Sequence, residues 1–309
     1  MAAPVQRDQE LELHVDSLAY GGNGVARLDG FVVFVKAGLP GDTVRARVTK
    51  VQRRHAEATA TEVVEAGPQR VPAPCRHYPE CGGCRFQDLA YEAQLAAKHA
   101  WVDDSLRRIA GLADPPLEPI VGAEHAFEYR NKMEYSFAPG PDGPELGLHR
   151  AGRWDSIIDI EHCHLTTELG NGIRLAVCEW AREERLPAYD QSTAEGYLRH
   201  LIVREGRNTG QALVQLVTHE RERFDRERLI EVLTAFPEVR SIHWTVNDTP
   251  AEVTNLPSEL LWGEEAIEES IGRLVTSAGV SLTVQWMLHT SGKAVSTSIS
   301  RSLSNRSRS

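Results

Sequence analysis

Hydrophobic and polar positions alternate along the first sixty residues. LELHVDSLAY places Leu11, Leu13 and Val15 on one side of an extended chain, the period-two signature of a half-buried strand. Gly21, Gly22 and Gly24 interrupt it, and GVARLDGFVVFV follows with an Asp29-Gly30 hairpin signal. Leu39-Pro40-Gly41-Asp42 predicts a further turn, and TVRARVTKV resumes the alternation through Val44, Ala46 and Val48. ATATEVVE supplies a last strand before Gly67-Pro68. Five short strands in about 60 residues predict a small closed barrel of OB-like type.

The period then changes. Leu89 to Ala110 carries apolar residues at helical spacing, with Asp88 as a suitable N-cap and Gly111 as a stop. Ile173, Val177, Trp180 and Ala181 recur likewise in IRLAVCEWAREERL. HLIVRE and QALVQLVT flank GRNTG and predict a β-hairpin, and SIHWTVN predicts a further strand. The fold class expected is therefore α+β: an N-terminal barrel and then a central domain with an antiparallel sheet.

Composition refines this in two places. Across 309 residues, 41% apolar and 25% charged is the balance of a globular protein able to bury a core. The longest strongly apolar run, Phe31 to Val35, falls far short of the roughly 20 residues that span a bilayer. MAAPVQRDQE lacks the apolar core of a signal peptide, so a cytoplasmic location is expected, with no membrane partner. Net charge is −10, which by itself discourages nucleic-acid binding. The charge is unevenly placed, however. From Lys36 to Arg54 there are six basic residues, Lys36, Arg45, Arg47, Lys50, Arg53 and Arg54, against the single acid Asp42. Such a strip suits phosphate neutralisation as well as it suits a solvated strand face. At the other end, the last 35 residues hold no acid, four basic residues, ten Ser and four Thr. Composition breaks at about Val275.

Five cysteines remain: Cys75, Cys81, Cys84, Cys163 and Cys178. The first three form C-x5-C-x2-C, with two glycines between Cys81 and Cys84 that let the backbone turn tightly. Cys163 in DIEHCHL is the natural candidate for a fourth ligand. Four thiolates suit zinc or an iron–sulfur cluster, and His77, His162 and His164 lie near enough in sequence to serve zinc instead. Spacing leaves both open. Cys178 sits on the apolar face of a helix and reads as a small buried hydrophobe. Arg130 and Lys132, just before the strand-like MEYSF, are further candidate phosphate contacts.

GGNGVARLDGFVVFVKAGLPGDTVRARV resembles the TRAM domain, an RNA-binding barrel appended to several RNA-modifying enzymes. CGGC followed by Gln87, Tyr91, Gln94, Leu95 and Lys98, then YRNKMEYSF, LGLHRAGRWDSIIDIEHCHL and LRHLIVREGRNTGQALVQLVT, resemble the RNA uracil-C5 methyltransferase family. More narrowly they are similar to its iron–sulfur branch, which acts on 23S ribosomal RNA. The resemblance implies that Cys75, Cys81, Cys84 and Cys163 hold a [4Fe–4S] cluster, and that the partner is 23S ribosomal RNA, bound by a monomer, rather than DNA. Radical methylthiotransferases also join TRAM to a cluster, but use C-x3-C-x2-C.

The family carries S-adenosylmethionine chemistry in a C-terminal Rossmann-like domain. Its marks are Phe-x-Gln-x-Asn, a Gly-rich loop, Asp-Pro-Pro-Arg and a late catalytic Cys. None follows Leu274, and there is no Cys beyond Cys178. The expectation is that the catalytic domain is missing and the protein is inactive as written, without S-adenosylmethionine. Three segments are expected: a barrel over 1–70, a cluster-bearing domain over 71–274, and an unrelated Ser/Thr-rich tail over 275–309, out of frame or divergent. Non-catalytic RNA binding with structural zinc, and a transfer-RNA uracil-C5 methyltransferase, are the alternatives.

Overall fold

The computed structural model describes residues 3–221, 223–251, 256–274, 280–287 and 299–302. It divides into two compact units, residues 1–79 with 84–126 and residues 80–83 with 127–309.

The first unit is built on the expected barrel. Strands β1 (Glu10–Leu18), β2 (Gly24–Leu28), β3 (Phe31–Lys36), β4 (Thr43–Val51) and β5 (His55–Glu65) close in the order β1-β2-β3-β5-β4. All pairs are antiparallel except β3 with β5. The alternation in the sequence becomes the core: Leu13, Val15, Val33, Val35, Val44, Ala46 and Val48 are all buried.

One acid is buried with them. Asp42 is fully enclosed in the turn before β4. Its carboxylate accepts from the backbone N–H of Leu39 (2.8 Å) and of Gly67 (2.8 Å), and from Arg70 Nη2 (2.6 Å). Close backbone approach makes this possible. Gly41 has φ +88°, and a Cβ on Gly67 would lie 2.6 Å from the Pro40 carbonyl oxygen. Arg70 also pairs with Asp88, whose other oxygen accepts from Tyr78 Oη at 2.5 Å.

The helix follows with its start shifted. Helix α1 runs Tyr91–Asp104, then widens into a π-type turn over Ser105–Ile109, and Gly111 (φ +73°) ends it. Asp88 does not cap it, because its carboxylate is committed to Arg70 and Tyr78. Leu18, Leu39 and Leu89 are buried together with Phe86 and Trp101 packed on them, and Trp101 Nε1 donates to the Leu18 carbonyl (2.6 Å). These contacts place α1 with the barrel, whereas the sequence grouped it with the central domain.

The second unit is a seven-stranded sheet. It comprises β6 (Lys132–Gly140), β7 (Gly143–His149), β8 (Ile157–Asp159), β9 (Leu198–Gly206), β10 (Gln211–Thr218), β11 (Val239–Val246) and β12 (Ser258–Gly263). Their order is β12-β11-β10-β9-β6-β7-β8. The GRNTG hairpin is β9–β10 in antiparallel register. The sheet is not wholly antiparallel, since β10 and β11 run parallel. The crossover between them contains α3 (Arg226–Thr234). Helix α2 (Glu168–Glu183) is capped by Thr167, whose hydroxyl accepts from Gly170 N at 3.1 Å, and buries Ile173, Val177, Cys178 and Trp180.

The composition break near Val275 does not end the secondary structure. Strand β13 (Ala266–Leu274) pairs antiparallel with β14 (Val280–Met287), and β14 with β15 (Ile299–Ser302). The expectation of an unrelated tail over 275–309 otherwise falls outside the described residues. Among the described residues no helix is long and apolar enough to cross a membrane.

Burial pushes the Asp42 carboxyl upward, but Arg70 and the two backbone donors outweigh it and hold it below its ordinary value of 3.8. Its stabilisation is therefore present above that value and is lost as the pH falls through the lower folded value. Asp42→Ala leaves the Arg70 charge short of a partner and should cost about 3–5 kcal/mol in denaturant unfolding of the barrel unit. The mutant should also lose part of the acid sensitivity of the wild type; equal stability would contradict the assignment.

Candidate nucleic-acid interface and cysteine loops

The barrel displays the basic strip, but strand pairing changes its charge. Arg45 and Arg47 project from the same face of β4, alternating with buried Val44, Ala46 and Val48. Register sets an acid beside each cation: Glu10 opposite Arg47, Glu62 opposite Arg45 and Glu57 opposite Lys50. Arg47 donates to Glu10 at 2.8 Å, Arg45 pairs with Glu62, and Lys50 lies 3.4 Å from Glu57. The hydrogen bond from Arg47 holds the Glu10 carboxyl below its usual range. Half of the strip is thus neutralised by residues distant in sequence. Lys36, at the end of β3, and Arg53 and Arg54, in the β4–β5 turn, are exposed, with no ion pair among the described residues. These three are the cations of the strip that no acid faces among the described residues.

The second unit disposes of the other two candidates differently. Arg130 is half-buried and Nη2 donates to the Gly83 carbonyl (3.2 Å), so it braces the Cys-Gly-Gly turn. Lys132 pairs with Glu134 at 2.7 Å, its neighbour two residues on along the same face of β6.

The cysteines are prepared within each unit. In the first, Gln87 is buried and uses both ends of its amide: Oε1 accepts from Cys75 N (3.0 Å) and Nε2 donates to Cys84 Sγ (3.4 Å). Sequence reading noted Gln87 only as part of a run. In the second, Gly83 N donates to Cys81 Sγ (3.4 Å), and Arg150 pairs with Cys81 as an isolated bridge. Asn171 from α2 brackets Cys163, accepting from its N–H (2.8 Å) and donating to its carbonyl (3.1 Å). Amide N–H groups directed at sulfur are the donors that stabilise metal-bound thiolates. The donor set therefore fits a thiolate-bound metal. Among the described residues, however, no three His, Cys, Asp or Glu side chains converge as a metal site, and none of the five cysteines is disulfide-bonded. His162 and His164 flank Cys163 with ring centroids 4.8 Å apart, and His162 Nε2 lies 2.9 Å from Glu168. Cys178 is buried, its Sγ 3.5 Å from the Pro144 carbonyl, and desolvation raises its thiol pKa. That is the inert core cysteine its helical position predicts.

Comparison with known proteins decides the wider reading. Residues 4–61 match the TRAM domain family. An uncharacterized RNA methyltransferase from Halalkalibacterium halodurans is 35% identical over 272 residues, which is 87% of this chain and 59% of the relative. One from Bacillus cereus is 34% identical over 274 residues, 88% of this chain and 60% of the relative. This chain contains a TRAM domain and over most of its length is similar to proteins named RNA methyltransferases. Its fold is similar to the crystal structure of Pyrococcus abyssi tRNA (uracil-54, C5)-methyltransferase in complex with S-adenosyl-L-homocysteine. The TM-score is 0.64 at 26% identity, over 90% of this chain and 59% of that one.

These matches correct two expectations. Homologous methyltransferases cover about 87% of the chain, and a tRNA methyltransferase structure covers 90% of it. They do not support a missing Rossmann-like catalytic domain, nor the reading of the protein as an inactive portion of an enzyme. The expectations rested on motif absence after Leu274 and on composition, and β14 pairs in register with β13 across that point. The chain spans about 59% of the length of the relatives named above.

Burial orders the thiols. In metal-free protein, alkylation followed by mass spectrometry should modify half-exposed Cys75 and Cys84 well before Cys81, Cys163 and Cys178. Early labelling of Cys178 would contradict its placement.

Proposed function

We propose that the protein is an S-adenosylmethionine-dependent RNA (uracil-C5) methyltransferase that engages its substrate through the TRAM barrel. One observation carries the reading: the similarity to RNA methyltransferases continues from the barrel through the central sheet rather than stopping at the RNA-binding domain.

Uracil C5 is a poor nucleophile, so this reaction begins with a thiolate adding to C6. C5 then takes the methyl group, a base removes the C5 proton, and the thiolate departs. S-adenosylmethionine, when bound, supplies the methyl group. Among the described residues no thiol suits the attack. Cys178 is buried with a raised pKa, and the other four lie in the loops discussed above. The described residues instead bind and orient RNA. Lys36, Arg53 and Arg54 meet phosphate, while Arg45, Arg47 and Lys50 contribute once their acids are displaced. Arg130 and Lys132 act by holding the Cys-Gly-Gly turn and the start of β6.

The substrate we assign is 23S ribosomal RNA, on the CGGC-to-Lys98 run and the cysteine spacing. The Pyrococcus relative favours a second reading, transfer RNA. We also assign Cys75, Cys81, Cys84 and Cys163 as the residues whose thiolates would hold a [4Fe–4S] cluster, a structural group in this reading. Zinc is the second reading, favoured by the adjacent rings of His162 and His164. We expect the protein to act in the cytoplasm.

Methyl-labelled S-adenosylmethionine should convert uridine to 5-methyluridine in large-subunit ribosomal RNA. Product in transfer RNA alone favours the second reading, and product in neither contradicts the proposal. Anaerobically purified protein should contain iron and sulfide and absorb in the visible, with Cys84→Ser losing both. Zinc without sulfide would overturn the cluster.

A further inference from the structure

The central sheet carries a cavity that the reading above does not use. It opens between β6, the loop joining β7 to β8, and the segment leading into β9, as a small depression open to solvent, with room for the edge of one flat group rather than for a whole enclosed ligand. Ser136, His200, Trp154, Asp155, Tyr189 and Asp190 contribute to its lining.

Three features narrow the ligand. At the mouth stands Trp154, an indole 65% exposed although it belongs to a tightly folded loop, in which Arg150 N donates to Ser156 O (2.8 Å) and Arg153 N to Arg150 O (2.9 Å). A large exposed aromatic at a cavity mouth is a stacking surface. Inside, Ser136 Oγ lies 3.2 Å from His200 Nδ1 and 3.4 Å from His149 Nε2. His200 is 3% exposed, and its Nε2 has no hydrogen-bond partner among the described residues. An orphaned acceptor costs less than an orphaned donor, which places the proton on Nδ1, donating to Ser136. Ser136 then keeps its own O–H, which faces His149 Nε2 at 3.4 Å and is the donor a ligand would compete for. Burial pushes His200 down to about 4, so the ring is neutral at physiological pH.

The charges of the lining disfavour phosphate. Asp155 is bound by Arg153 through two contacts of 2.8 and 2.9 Å. Asp190 accepts from the N–H and hydroxyl of Ser192, which keep its carboxyl below the usual range and hence ionised. Arg199 spends its guanidinium on the carbonyls of Asn247 and Ala251 and lies 4.3 Å from the centre of the Tyr189 ring. Asp155 is neutralised by its pair with Arg153, which leaves Asp190 as the lining carboxylate with no ion pair among the described residues; it repels an anion and suits a flat, neutral group bearing an N–H.

We infer that this cavity takes an unstacked, amino-bearing base of the RNA, cytosine or adenine, with its face on Trp154 and its edge bonded by Asp190 and Ser136. A carboxylate accepts from an exocyclic amine, and a hydroxyl donates to the ring nitrogen beside it. Uracil sets carbonyl oxygens on both sides of its N–H, against the carboxylate. The site is thus separate from the methylated uridine and selects its sequence context. It rests on the reading of the protein as an RNA methyltransferase.

The test is fluorescence anisotropy of the full chain with labelled single-stranded RNAs of about twelve residues, all C, all A or all U. Wild type should bind the C and A oligomers at least about fivefold more tightly than U, the low end of the discrimination one hydrogen-bonded base edge gives. Trp154→Ala should bring C and A down to the U level, and Trp154→Phe should retain most of the preference. Asp190→Asn should erase the preference without weakening U. Equal affinity of wild type for all three, or an unaffected Trp154→Ala, overturns the inference while leaving the RNA reading intact. Failure to bind any oligomer overturns both.

Discussion

A single guanidinium organises the first unit. Arg70 reaches a carboxylate sealed inside the barrel turn, Asp42, and a second one, Asp88, at the foot of α1. Tyr78 completes the chain from Asp88 to the cysteine loop, and Tyr78 N donates to the Cys75 carbonyl (3.1 Å). Burying a carboxylate costs several kcal/mol unless charge and hydrogen bonds compensate it. Asp42 obtains both, from Arg70 and from two backbone N–H groups. The consequence runs past stability. The ionised pair fixes the path of the chain out of β5, and with it the position at which Cys75 and Cys84 share Gln87. Barrel and cysteine loop are thus one construction within this unit.

The same economy of charge shapes the barrel surface. A protein with net charge −10 binds RNA only if its acids are kept from the contact face. Here acids sit against cations across β1, β4 and β5, leaving Lys36, Arg53 and Arg54 at strand ends. Exposed pairs of this kind contribute little to stability. On the proposed function their effect is on selectivity, because phosphate has to compete with Glu10 and Glu62 for Arg47 and Arg45.

Much of this was legible in the sequence, since period-two alternation reports burial directly. Leu13, Val15, Val44, Ala46 and Val48 are core as their spacing requires, and Cys178 is buried on its helix face. What failed was non-local. Charge counted along Lys36 to Arg54 misses Glu10 and Glu62, which only strand register brings alongside. Asp88 looked like an N-cap because local preference favours it there, yet Arg70 claims its carboxylate. The role of Gln87 was invisible for the same reason, because an amide joining residues on both sides of a loop leaves no periodic trace. The cavity lined by Ser136, His200 and Trp154 draws on β6, β9 and the β7–β8 loop, and no single segment announces it.

The central claim is that the barrel binds RNA through its uncommitted cations. The direct measurement is the salt dependence of binding to ribosomal RNA fragments, for wild type and two charge-reversal variants. Lys36→Glu/Arg53→Glu/Arg54→Glu should flatten the slope of log affinity against log salt by about two to three phosphate contacts and weaken binding sharply. Arg45→Glu/Arg47→Glu, whose cations are already paired, should do less. Equal effects of the two variants, or an unchanged slope in the triple variant, would contradict the account.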